Sequence, residues 1–519
     1  MRKWLVVLLV LLMTFSLTAG GTSEDASASA EDSMILKGFG MSYPGQAPWE
    51  EMPYFKELEK RTGVHVDWEY MEPSNSANER VNMIFASGED TPDVFIRMGA
   101  ATSRENVVRW GNAGLVLDMA PYLDEYGPNI KAMLEKYPEV KTACMTEDGK
   151  LYLLPVVYDY KPYLVSRTMQ IDQRWLDNLS LEMPTTLDEF TEVLKAFRDL
   201  DANGNGDPND EIPYSAHTWL NCLRGILPGF GLNFVLNTYP VFYDEASNEM
   251  TFAATTDEFK SALEYMNMLY EEGLLDQEIF SQTNTRFHGY LPDDRFGVVL
   301  LHQPLNAGPI APDLIGMEPL IGPAGPDGRV WSWNTSYVFN NCSAFISGST
   351  KKPELAVQWL DYLYSEEGGT LTWMGIENET YVVNPDGSYS YTDKIANDPR
   401  GFSAAMGDYS SIWGNGNEPG CFTEKQLEPG LSLSTAIENT EKVLPFLQDV
   451  TEAVMPIMDQ KTQTRFTYLN QEIGAYVKET WAKFINGSLP FSEWDSYCQQ
   501  LEELGYREFE SMVKEAFGM

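Results

Sequence analysis

Between Met34 and Ile96 the chain alternates extended and helical patterns, and this alternation limits its possible folds more than any other feature. A strand-like run, Met34 to Met41, precedes a helical stretch near Trp49 to Thr62. A second strand, Val64 to Tyr70, precedes a helix, Ala77 to Ala86, which leads into Asp93-Val94-Phe95-Ile96. Strands separated by single helices require right-handed crossovers, and hence a parallel α/β lobe. In the first helix Tyr54, Phe55 and Leu58 share an inward face with Glu50, Glu51, Glu57 and Glu59 between them, and Gly63 stands where a left-handed cap is wanted.

Later helices are marked by capping boxes, in which a hydroxyl and a carboxylate three residues on each satisfy an orphan backbone N–H. Thr186 with Glu189, Thr255 with Glu258, and Ser492 with Asp495 have this spacing, and Gly505 stands as the stop of the last. No fixed-period repeat is present, which argues against solenoids and propellers. Asp148 to Tyr160 reads as a strand ending in aromatics, and Trp331 to Ile346 as a second extended segment. If the chain crosses between lobes at these places, each lobe is discontinuous. Residues 34–158 and 336–375 would form the N-terminal lobe, and 159–335 and 376–519 the C-terminal one. The crossings would then be the bendable base of a cleft.

The ends carry a different message. Arg2-Lys3, the apolar run Trp4 to Leu17 and the small residues after it have the layout of a secretory signal over residues 1–19. Residues 20–33 are nearly all Gly, Thr, Ser, Ala, Asp and Glu, a composition suited to a disordered spacer, in which Ala28-Ser29-Ala30 offers a cleavage site. Five cysteines, Cys144, Cys222, Cys342, Cys421 and Cys498, show no CxxC spacing, so no zinc or disulfide framework is expected from them. A net charge of -41 repels nucleic acid and anionic polymers and favours a neutral ligand.

Several segments, in order along nearly the whole chain, resemble the extracellular solute-binding proteins of the maltose-binding type, in the branch that contains the alginate-binding proteins and many surface lipoproteins. Phe55-Lys-Glu-Leu-Glu-Lys-Arg-Thr-Gly-Val64 is similar to that family's first helix and second strand, and Ala86-Ser-Gly-Glu-Asp-Thr-Pro-Asp93 to its next turn. Asp148-Gly-Lys-Leu-Tyr-Leu-Leu-Pro155, Met183-Pro-Thr-Thr-Leu-Asp-Glu-Phe190, Leu269-Tyr-Glu-Glu-Gly-Leu-Leu-Asp276 and Met374-Gly-Ile-Glu-Asn-Glu-Thr-Tyr381 continue the series. The resemblance implies a type II periplasmic-binding fold of two α/β lobes that close over an oligosaccharide. It also implies a monomer that delivers the sugar to the permease subunits of an ABC importer without enzymatic change. Export to the cell surface, periplasm or medium is expected, and one departure from the family, Gly20 and Gly21 where lipid-bearing members have cysteine, leaves anchored and free forms both open.

The sharpest local motif runs from Asp199 to Glu211, directly after the helix Leu187 to Phe197. Calcium takes six to eight oxygen ligands, and acid or amide side chains at alternate positions around a glycine turn can supply them together. Starting the loop at Asp199 places Gly204 sixth; starting at Asp201 places Gly206 sixth. The second register resembles the Asp-x-Asn-x-Asn-Gly loop of the alginate-binding proteins. It would use Asp201, Asn203, Asn205, Asp207 through its carbonyl, Asp210 and Glu211 to hold a structural calcium.

The chain contains 13 Trp, 27 Tyr and 25 Phe, more rings than a core of this size needs. Ring faces stack on the C–H faces of sugars while neighbouring polar groups bond the hydroxyls. Aromatics placed in loops or at strand ends are therefore the candidates: Trp49, Tyr158, Tyr160, Trp219, Trp331, Trp333 and Trp413. Asp93, Arg97 and Glu377 are the polar candidates. A secreted glycoside hydrolase would need only two suitably spaced carboxylates and remains the rival reading, with a polysaccharide-adhesion protein as a third. No HExxH, GxSxG or P-loop motif is present.

Overall fold

The computed structural model describes residues 34–42, 47–73, 76–88, 91–165, 167–236, 238–244, 246–301, 304–331, 338–413, 418–432, 435–448 and 458–519. The expected leader (1–19), spacer (20–33) and cleavage site lie outside them, as does Trp333. Among the described residues no helix is long and apolar enough to cross a membrane.

The strands β1 (Ile35–Ser42), β2 (His65–Pro73), β3 (Val94–Ile96), β4 (Leu154–Asp159) and β5 (Thr168–Asp172) come first. They are followed by β6 (Ile212–Ala216), β7 (Asn233–Val235), β8 (Tyr239–Asp244), β9 (Glu249–Phe252) and β10 (Phe296–Leu301). The last are β11 (Leu314–Gly316), β12 (Val338–Ile346), β13 (Tyr381–Val383), β14 (Tyr389–Tyr391) and β15 (Gly420–Thr423). Two larger sheets result, a six-stranded one ordered β15-β4-β12-β3-β1-β2 and a four-stranded one ordered β11-β5-β10-β6.

In the first sheet β1 runs parallel to both β2 and β3, as the strand-helix alternation predicts. β12 enters antiparallel between β3 and β4, and β15 adds parallel to β4 at the edge. In the second, β10 is parallel to β6 and antiparallel to β5. Each sheet has its own buried cluster, one around Phe39, Phe95, Leu154, Phe345 and Trp359, the other around Met169, Trp175, Phe190, Phe197 and Trp481. The fold is two-lobed α/β.

The first lobe takes more of the chain than the division at residue 375 assigns to it. Gly420–Thr423 pairs with β4, and Phe402, Met406, Ile412, Phe422 and Leu427 pack in one cluster with Val156 and Tyr158. The chain returns to the second sheet only near Thr435, whose hydroxyl donates to Leu314 O, while Asn439 Oδ1 accepts from Gly316 N at 2.6 Å. A four-residue strand between a glycine and a helix cap carries too short an alternation to be read in sequence. From Gln460 onward the helices Gln460–Ile485, Trp494–Glu503 and Tyr506–Ala516 cover the second core.

Local signals fare unevenly. The Thr186–Glu189 box forms reciprocally on the helix Leu187–Asp199, and Gly63 closes the first helix at φ 69°. That helix begins at Pro53 rather than Trp49, since proline suits a first turn whose N–H groups have no intrahelical partner. Thr256, not Thr255, caps Asp257–Glu271, its hydroxyl accepting from Phe259 N. Ser492 falls inside a short 3-10 turn after Pro490, so the helix Trp494–Glu503 starts without a side-chain cap. No cysteine pairs with another; Cys144, Cys222 and Cys342 are buried and the other two half-buried.

Close approach of a helix to β10 depends on Gly297. A Cβ there would stand 2.5 Å from the Phe197 ring, with Trp175 at 2.9 Å, and both rings are fully buried. Gly297→Ala is therefore expected to cost about 1–3 kcal/mol of stability, read as a lower urea midpoint at unchanged slope.

Candidate functional site

β1, β3 and β4 run in one direction, so Ser42, Ile96 and Asp159 end on the same side of the first sheet. Open α/β sheets receive ligands beyond such carboxyl ends. Arg97, the next residue after β3, turns there with φ 63°, a left-handed conformation that costs a non-glycine residue energy and re-aims its side chain. Its guanidinium is wholly buried, 5.6 Å from the centre of the Trp49 ring.

Facing it is Glu418, also wholly buried, with Arg97 Nε 3.6 Å from Glu418 Oε2. Ser411 Oγ donates to the same carboxylate oxygen at 2.8 Å. Burial pushes the Glu418 carboxyl above the usual carboxylate range, against the pull of Arg97, Ser411 and Tyr54. Burial likewise raises the Tyr54 phenol, whose oxygen lies 3.2 Å from Thr372 Oγ1. Beside this polar group stands an aromatic one. Trp413 Nε1 donates to Trp373 O at 3.1 Å, the two rings are 5.1 Å apart, and Tyr158 meets Trp373 edge-on at 5.6 Å.

Sequence comparison places this geometry among known proteins. The profile of the bacterial extracellular solute-binding proteins matches residues 46–290. The fructooligosaccharide ABC transporter substrate-binding protein FusA of Streptococcus pneumoniae is 26% identical over 481 residues, which are 88% of this chain and 84% of that protein. The chain is similar to the bacterial extracellular solute-binding proteins over nearly half its length. Its fold agrees with FusA solved in complex with kestose, at a TM-score of 0.78 and 23% identity over 93% of this chain and 99% of that one. An EF-hand mutant of FusA gives the same TM-score at 22% identity over 93% of this chain and 99% of that one. The alginate-binding protein AlgQ2, solved without calcium ion, gives 0.73 at 21% identity over 93% and 98%.

The side chains singled out in sequence are spread over several settings. Trp49 and Arg97 come together, and so do Tyr158 and Trp413, although Tyr158 is only 1% exposed and packs as core. Tyr160 is half-buried, and burial, with Glu428, Glu424 and Glu441 nearby, pushes its phenol up to about 12. Asp93 lies at the opposite end of β3, where its carboxylate accepts from Lys37 N and Thr350 Oγ1 at 2.9 and 2.6 Å and ties strands together. Glu377 is exposed in a turn bridged to Tyr381, away from Arg97's buried setting. Trp219 opens the helix Trp219–Ile226 beyond the end of β6, half-buried and 6.0 Å from Phe280. Trp331 is buried in the second core, its backbone bonded to Phe446 and Gln448.

The Asp201–Glu211 loop is built from its own side chains. Gly206 N donates to Asp201 Oδ2, Asn205 N to Asn203 Oδ1 and Asp207 N to Asn205 Oδ1, at 2.8–2.9 Å. Gly204 and Gly206 supply the left-handed turns. Asp199, first residue of the rival register, is held at the surface by Arg198. The loop is anchored to the second lobe, Asn178 donating to Ala202 O and Arg295 to Asp210 O. Asp201 Oδ1 and Glu211 Oε2 are buried without a hydrogen-bond partner, oxygens whose unmet need fits a cation. Among the described residues no three His, Cys, Asp or Glu side chains group to hold a metal. Carboxylates alone therefore do not make this site; asparagine amide and backbone carbonyl oxygens must complete any set.

Glu418, Ser411, Tyr54 and Thr372 escaped the sequence reading. Glu418 is one acid among 77 and follows Gly414-Asn-Gly-Asn417 in sequence, so nothing in its neighbours separates it from a solvated surface acid. Arg97→Met, which strands Glu418, should cost about 3–5 kcal/mol, and adding Glu418→Gln should restore part of it. Because the folded pKa of Glu418 is raised, its stabilising contribution is full below the unfolded value and is lost as pH rises through the folded one. Glu418→Gln should therefore gain stability relative to the parent as pH rises, measured by denaturant unfolding across that range.

Proposed function

We propose that the protein is the extracytoplasmic substrate-binding component of an ABC importer. It captures an oligosaccharide between its two α/β lobes and hands it, unaltered, to a membrane permease. The observation that carries this reading is the span of the match to FusA, which takes in both sheets and the segments that cross between them rather than one domain. At the carboxyl end of the first sheet the half-buried Trp413 ring stands beside the fixed Arg97–Glu418 pair, a combination that supports a sugar site.

The protein acts as a monomer outside the cytoplasm and performs no chemistry on the sugar. The prominent buried acid of the site, Glu418, is paired with Arg97 rather than with a second carboxylate, a poor start for an acid and base flanking a glycosidic bond. The acidic surface favours a neutral oligosaccharide over an anionic polymer. Incubation with an oligosaccharide library, followed by mass spectrometry, should show reversible binding and intact sugar; cleaved products would turn the reading to a glycoside hydrolase.

A structural calcium ion is the second element of the proposal. Asp201, Asn203, Asn205, Asp207 through its carbonyl, Asp210 and Glu211 would hold it, and the bound ion would neutralise converging carboxylates and stiffen one lobe. The orphaned oxygens of Asp201 and Glu211 support the assignment. Calcium at a hundredfold excess over its dissociation constant should stabilise the protein by about 2.7 kcal/mol, and a chelator should lower the melting temperature accordingly. A melting curve indifferent to both would remove the ion from the account.

A further inference from the structure

At the free edge of the first sheet, where β2 is the last strand, a cavity of about 170 Å³ opens between β2, the helix Pro53–Thr62 and Trp359. Four aromatic rings line it. Trp49 stacks on Phe55 with centroids 4.5 Å apart, Trp68 meets Trp49 edge-on at 4.7 Å, and Trp359 lies 6.2 Å from Trp68. Trp68 can press against β1 only because residue 38 is glycine; a Cβ there would stand 2.5 Å from the indole ring.

The rim is polar and mostly acidic. Glu50 and Asp67 present exposed carboxylates, Glu59 lies 3.0 Å from His65 Nδ1, and Lys56 is drawn aside to Glu51 O. Trp49 and Trp359 are 3% and 1% exposed, yet their indole N–H groups find no hydrogen-bond partner in the protein. Buried donors are seldom left so.

We propose that this cavity is a carbohydrate site separate from the interlobe cleft, sized for one hexose ring of a glycan. A sugar ring presents C–H faces to the aromatic wall and hydroxyl protons to the exposed Glu50 and Asp67 carboxylates on the rim. An organic cation would also suit ring faces and carboxylates but has no hydroxyl protons to give them, so it is the competitor the test includes. The site lies along the β2 edge and not beyond the carboxyl ends of the strands, so it can hold a glycan while the cleft handles transport. It goes beyond the proposed function and does not depend on it.

The test is fluorine NMR of the exported protein labelled with 5-fluorotryptophan, its resonances assigned by single Trp→Phe changes. The probes are methyl α-glucopyranoside, methyl β-galactopyranoside, methyl β-fructofuranoside and tetramethylammonium chloride. At least one glycoside should shift the Trp68 and Trp359 signals saturably, and tetramethylammonium should not. Asp67→Asn, an exposed and conservative change, should weaken that response about tenfold, and Trp68→Ala should abolish it. Trp413 reports the cleft in the same spectra, so failure at one site is distinguishable from failure at the other. If no glycoside moves those two signals, or if only tetramethylammonium does, the assignment is overturned.

Discussion

A strand made late in the chain, β12, has to fit between two made early, β3 and β4, and the two-lobed architecture follows from that requirement. Without it, β3 and β4 would each leave an edge of unpaired backbone N–H and C=O groups in the middle of a sheet. The chain therefore leaves the first lobe after β4, completes the second sheet, and returns before Val338 to fill the gap. It departs again after Leu431 and ends in helices that cover the second core. Several chain crossings between two separately packed bodies give a joint that resists shear yet tolerates bending, which is what a closing receptor needs.

A buried ion pair sits at the carboxyl end of the first sheet. Taking Arg97 and Glu418 out of water costs more than their mutual attraction returns unless further hydrogen bonds help, and Ser411 supplies one. The left-handed backbone at Arg97 adds a second local cost at the same place. Two such costs fall together at the carboxyl end of β3, beside Trp49. On the other lobe, Asp201 and Glu211 leave acceptor oxygens buried and unmet, which suits a structural ion rather than a ligand group.

The parallel β1-β2-β3 unit was legible because each element is long enough to display its period, and because Gly63 and the Thr186–Glu189 box sit at real helix ends. Arg97 was legible as the residue that ends Val-Phe-Ile. Its partner was not, because Glu418 comes from a short, non-periodic segment more than 300 positions away, and only the sheet register joins them. Asp93 misled because strand ends look alike in sequence, and which end faces the ligand side is a property of the sheet. Aromatics divided in the same way: Tyr158 and Trp331 flank crossings yet are core, while Trp68 and Trp359, inside regular elements, border a cavity.

The central claim is that two lobes close on a sugar and release it unchanged. Small-angle scattering of the exported protein, recorded without and with a saturating oligosaccharide that it binds, tests this most directly. A smaller radius of gyration with ligand, returning to the starting value when the sugar is dialysed away, is the result the account predicts. Binding with no change in dimensions would contradict it.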